Sequence, residues 1–131
     1  MTAIESDQST PPRGLTVLVV EDEIMIAMDL EMTLERHGWR VLGPAMSVKE
    51  ALRLLETERP DVALLDVNLR GEMVTPVAAA LRGLQVPFVL SSAYDPAGID
   101  GVAVLAGAPK VAKPASERRL VAALAEAAEQ R

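Results

Sequence analysis

The chain has 131 residues, a length that fits one domain with a single core, and its formal net charge of −6 with scattered basic residues argues against a nucleic-acid footprint. There is no cysteine, which removes disulfides, thiolate catalysis and cysteine-ligated metal centres. The N-terminus lacks the basic and apolar regions of a signal peptide, and no apolar run approaches the roughly 18 residues of a membrane span, so a cytoplasmic protein with no membrane contact is expected.

Residues 1–13 are polar and end in Pro11-Pro12, which predicts a flexible N-terminal arm ahead of a domain over 14–131. Apolar runs at 15–20, 40–43, 61–65, 86–91 and 109–112 have the length of strands buried on both faces. The first helix spans 23–37, with Ile26, Leu30 and Leu34 on one stripe and Gly38 as its stop; Met25, Met28 and Met32 are read as packing residues of that helix. His37, the single histidine, reads as a helix-end residue. In the second helix Val48, Ala51, Leu52 and Leu55 recur at helical spacing behind a Ser47/Glu50 capping box. The third carries Val74, Val77, Ala78 and Leu81, with Pro76 near its first turn, where the missing N–H does no harm. The stretch DPAGIDGVAVLAGA, rich in glycine, predicts a short or irregular fourth helix, and the fifth covers 116–130 with Ser116 as N-cap.

Five strands alternating with five helices predict an α/β fold: a doubly wound, flavodoxin-like, five-stranded parallel sheet in the order 2-1-3-4-5 with helices on both faces. In such sheets ligands sit outside the carboxyl ends of the strands, at the crevice between the first and third. The chemistry-bearing residues follow that rule. The first strand, LTVLVV, ends in Glu21-Asp22; the third, DVALLD, ends in Asp66 with Asn68 close behind; the fourth ends in Ser91-Ser92 and the fifth in Lys113. Glu21, Asp22 and Asp66 therefore converge as an oxygen-donor set suited to a hard divalent cation such as magnesium. Three acids, a hydroxyl and an ammonium at one sheet edge suit phosphoryl transfer. The bland reading of the first cluster is carboxylates favouring the positive end of a helix, and it fits Glu23 better than Asp22.

From Leu15 onward the sequence resembles the receiver domains of two-component response regulators, on Glu21-Asp22, Asp66, Ser92-Ala93 and Lys113-Pro114. The resemblance implies that a histidine kinase or a phosphotransfer protein passes a phosphoryl group to Asp66. It implies Mg2+ on Asp22, Asp66 and the Asn68 backbone carbonyl, with Glu21 acting through a metal-bound water. Ser92 would bind the phosphoryl oxygens, Lys113 would pair with them, and small Ala93 would leave room for entry. The stretch PFVLSSAYD is similar to a receiver subgroup that works with HWE-type or related kinases.

The pattern departs from the family at Arg70, where proline is common, at Lys110, where an aromatic is usual, and at Ala115, where phenylalanine is common. These changes bear on the signalling surface, which is expected at Tyr94, Lys110 and Pro114. The overall expectation is a stand-alone receiver, a switch rather than an enzyme, that acts through contacts with a downstream protein. A phosphate shuttle or sink in a relay is the alternative. An aspartyl-phosphate phosphohydrolase would need a second acid two residues after the nucleophile, and that position is Asn68.

Overall fold

The computed structural model describes residues 14–69, 71–92, 103–112 and 116–129. Five strands form one parallel sheet: β1 (Thr16–Val20), β2 (Arg40–Ala45), β3 (Val62–Asp66), β6 (Phe88–Ser92) and β7 (Lys110–Ala112). Their order is β2-β1-β3-β6-β7, which is second, first, third, fourth, fifth within this sheet. A separate antiparallel hairpin, β4 (Asn68–Leu69) with β5 (Glu72–Met73), follows β3 directly. The helices are α1 (Ile24–Arg36), α2 (Val48–Thr57), α3 (Thr75–Gly83) and α4 (Glu117–Glu129).

Alternation along the central strands explains why helices cover both faces. Leu18 and Val20 of β1, Ala63 and Leu65 of β3, and Phe88 and Leu90 of β6 pack in one core with α2 and α3. Val17, Val19, Val62, Leu64 and Val89 point the other way and pack with Leu34 of α1 and Leu120, Val121 and Leu124 of α4. Both sets are buried, so the strands read as continuous apolar runs; each such Val or Leu contributes about 1.5–3 kcal/mol through burial.

Local signals account for the helix ends. Ser47 Oγ accepts from the Glu50 backbone N–H at 3.1 Å, and the Glu50 carboxylate returns to the Met46 N–H at 2.7 Å, one residue earlier than a capping box prescribes. Ser116 Oγ likewise accepts from the Arg119 N–H at 3.1 Å and starts α4. In α3, Val77, Ala78 and Leu81 are fully buried and Pro76 lies in the first turn. Of the expected fourth helix, residues 95–102 lie outside the described residues; its end is a single 3-10 turn, Ala103–Leu105, with Leu105 buried. The expected arm at 1–13 also lies outside them.

One expectation fails. Met25, Met28 and Met32 do not pack: they are 78%, 53% and 60% exposed, along with Ile24 at 56%. The core side of α1 is supplied by Ala27, Thr33 and Leu34, with Ile26 and Leu30 half-buried at its margin. The helix thus carries two apolar faces, and the methionines occupy the outward one.

Candidate functional site

Parallel strands end together, so the sheet gathers the residues that follow β1 and β3 at one edge. β1 and β3 are neighbours in register, Val20 opposite Leu65, and the next residues of each chain are Glu21 and Asp66. The Glu21 backbone N–H donates to the Ala45 carbonyl at 2.9 Å, which ties the turn after β1 to the end of β2. Glu21 Oε2 accepts from the Glu23 N–H at 3.2 Å and so folds back over the start of α1.

The result is a compact acid cluster. Glu21, Asp22 and Asp66 each place a carboxylate oxygen within 4.8 Å of the others, and the three residues are only 1%, 7% and 8% exposed. Among the described residues these are the groups that could hold a metal ion together. The donor set fits a hard cation: every ligand is an oxygen, the charge is high, and three carboxylates leave room for waters, as magnesium requires. Without a cation, like charges at this spacing repel one another in a poorly solvated crevice.

The wall of the crevice comes from β6. Asp66 is paired with Ser91, and the Val67 N–H donates to the Ser91 carbonyl at 3.1 Å. Ser92 is the last residue of β6 and lies opposite Ala112 of β7, so the carboxyl ends of these two strands lie at the same edge of the sheet as those of β1 and β3. The backbone of Asn68 opens the β4–β5 hairpin opposite Met73. The side chains of Asn68 and Ser92, and all of Arg70, Ala93, Tyr94, Lys113, Pro114 and Ala115, lie outside the described residues. Lys110 is in β7, exposed, with Nζ 3.4 Å from the Ala108 carbonyl, so its charge remains at the surface.

Two features had little or no sequence signal. The hairpin turns at Gly71, φ +86°, and the Val74 N–H donates to the Val67 carbonyl at 3.2 Å, which closes the loop after Asp66 into a compact unit. Gly71 between Leu69 and Met73 was the one available clue. At the far end of α1, His37 Nε2 and Arg36 Nη2 both contact the Glu117 carboxylate, at 2.5 and 2.7 Å, and join α1 to the start of α4. Nothing in the local sequence links residues so far apart.

Comparison with known proteins agrees with this geometry. The model of the response regulator receiver domain matches residues 17–125. The transcriptional regulatory protein PdtaR of Mycobacterium tuberculosis is 31% identical over 91 residues, covering 69% of this chain and 43% of its own length. The phyllosphere-induced regulator PhyR of Methylorubrum extorquens is 36% identical over 81 residues, 60% of this chain and 30% of that protein. The chain thus spans less than half the length of these curated relatives. Among solved structures, the signal receiver domain of the putative response regulator NarL from Mycobacterium tuberculosis superposes with a TM-score of 0.79 at 30% identity, covering 92% of this chain and 100% of that one. The response regulator PhyR from Brucella abortus gives a TM-score of 0.78 at 28% identity, covering 94% and 51%.

Proposed function

The chain belongs to the response regulator receiver family, and on that premise we propose that it is a phosphorylation-dependent switch whose phosphoacceptor is Asp66. The observation that carries the reading is the convergence of Glu21, Asp22 and Asp66 at the carboxyl edge of the two central strands. The donor is a histidine kinase or a phosphotransfer protein, with HWE-type kinases favoured by the PFVLSSAYD stretch, and the output is contact with a downstream protein.

The chemistry follows from the residue types. A carboxylate oxygen of Asp66 attacks the phosphorus of a phosphohistidine; the new P–O bond forms as the P–N bond breaks, and the imidazole nitrogen leaves with the bonding pair. The product is an acyl phosphate on Asp66. Asp22, Asp66 and the Asn68 carbonyl would hold magnesium, with Glu21 reaching it through water, and the bound ion would neutralise charge on the phosphoryl oxygens. Lys113 supplies a second positive charge to the same oxygens and Ser92 a hydroxyl donor, while Ala93 keeps the entry clear. Burial of the acid cluster strengthens each of these contacts relative to water.

Downstream, Tyr94 and the segment 95–108 carry the response, together with Pro114. Lys110 stands where an aromatic relay is usual, and its exposed ammonium resists turning into the core. Asn68, in place of an acid two residues after Asp66, lacks the general acid–base group a phosphohydrolase needs, which speaks against that reading.

Incubation with acetyl phosphate and magnesium, read by intact mass, tests this function. The expected result is addition of one phosphoryl group, lost when magnesium is chelated. No addition at saturating donor contradicts it.

A further inference from the structure

The outward face of α1 has no role in the chemistry above and is exposed among the described residues. Met25, Met28 and Met32 recur at i, i+3 and i+7, which places them on one side of the helix, opposite Ala27 and Leu34. Their exposures of 78%, 53% and 60% leave the thioethers open to solvent. Leucine or alanine would serve a helix surface equally well; what methionine adds is a sulfur that accepts oxygen. The chain contains no cysteine, so no thiol competes for an oxidant. Met46, by contrast, is half-buried between β2 and α2, while Met73, 42% exposed, stands alone in β5 rather than on a shared face.

We propose that Met25, Met28 and Met32 form a reversible methionine-oxidation site that converts the outward face of α1 from apolar to polar. The oxidant is a peroxide. A sulfur lone pair forms the S–O bond as the peroxide O–O bond breaks; the thioether is oxidised to the sulfoxide and hydrogen peroxide is reduced to water. The reverse step takes electrons from a thiol through a sulfoxide reductase and returns the oxygen as water. Each sulfoxide replaces a soft apolar contact with a strong dipole, so a partner lying along α1 meets a different surface. The face begins at Met25, three residues beyond Asp22, and runs most of the length of a helix about 20 Å long. The acid cluster itself is buried and contains no sulfur, so the modification acts on recognition and leaves the phosphoacceptor chemistry alone. This inference does not depend on Asp66 being phosphorylated.

The test is brief treatment of the folded chain with hydrogen peroxide, followed by peptide mass mapping and hydrophobic-interaction chromatography. Oxygen should appear on Met25, Met28 and Met32 several-fold faster than on Met46, and retention on the apolar column should fall. A thiol-driven mixture of methionine sulfoxide reductases should then restore both the mass and the retention. The triple variant Met25→Leu, Met28→Leu, Met32→Leu, checked for an unchanged melting temperature, should lose much less retention under the same treatment, with Met73 as the source of any remaining change. Equal oxidation of Met46, sulfoxides that resist reduction on the folded chain, or an equal retention loss in the triple variant would overturn the proposal.

Discussion

Asp66 and Ser91 face each other across β3 and β6, and the chain beyond Asp66 is pinned to Ser91 by the Val67 N–H at 3.1 Å. The pairing commits Ser91 to the ladder at the level of the acid cluster, while Ser92 is the residue at the end of β6. The two serines are therefore expected to separate in function. Ser92→Ala should still take a phosphoryl group on Asp66 yet lose the phosphorylation-dependent change in amide exchange, whereas Ser91→Ala should retain both. Hydrogen exchange with and without beryllofluoride checks this, and equal loss in the two variants would contradict it.

The acid cluster predicts an inverse relation between stability and magnesium response. Replacing Asp22 with Asn removes one of three mutually repelling carboxylates, so the variant should melt higher than the parent in chelator. A relief of about 1 kcal/mol corresponds to roughly 4 °C in a domain of this size. Millimolar magnesium should raise the melting temperature of the parent and leave that of the variant almost unmoved. A variant that melts below the parent in chelator would show that Asp22 is held by favourable contacts that outweigh the repulsion.

Gly43 is required by the path of β2. Its φ is +102°, and a Cβ there would lie 2.7 Å from the Ala45 nitrogen and 3.1 Å from the Val19 carbonyl oxygen. Both neighbours are backbone in the sheet, beside the register irregularity between Leu18 and Val20, and cannot yield cheaply. Gly43→Ala should cost about 1–3 kcal/mol from the backbone conformation, with the close contacts adding to it. Urea denaturation measures the loss, and an unchanged midpoint would contradict the observed backbone path.

A pH dependence is expected from the contact between α1 and α4. The His37 ring holds the Glu117 carboxyl below its usual range, and the Arg36 guanidinium acts in the same direction. A depressed carboxyl pKa gives stability that is present above the unfolded-state value and is lost as pH falls through the folded-state value. Glu117→Gln should therefore melt slightly lower than the parent at neutral pH, and the two should converge in acid, below the ordinary carboxylate range. The group is exposed, so salt should shrink the neutral-pH difference. A difference that grows on acidification would contradict the assignment.

The centre of the sheet was legible because β1, β3 and β6 are short apolar runs closed by a turn or an acid; the edge strands β2 and β7 are not buried on both faces as expected, since Arg40, Gly43 and Lys110 are exposed. The acid site was legible for the same reason: a parallel sheet sends Glu21, Asp22 and Asp66 to one edge without any side-chain information. The outward methionines were not, since helical spacing finds an apolar stripe but does not say which of two stripes meets the core. In α1, Ala27 and Leu34 win that place. The β4–β5 hairpin is too short for periodicity to register, and the Glu117 contacts with Arg36 and His37 join residues that only the fold brings together.

The central claim is that Asp66 alone accepts the phosphoryl group. Its most direct measurement is reductive trapping: the chain is phosphorylated with acetyl phosphate and magnesium, the acyl phosphate is reduced with borohydride, and the modified peptide is located by mass. The account predicts homoserine at position 66 in the parent, with no trapped product in Asp66→Asn. Trapped product at Glu21 or Asp22, or full phosphorylation retained in Asp66→Asn, would contradict it.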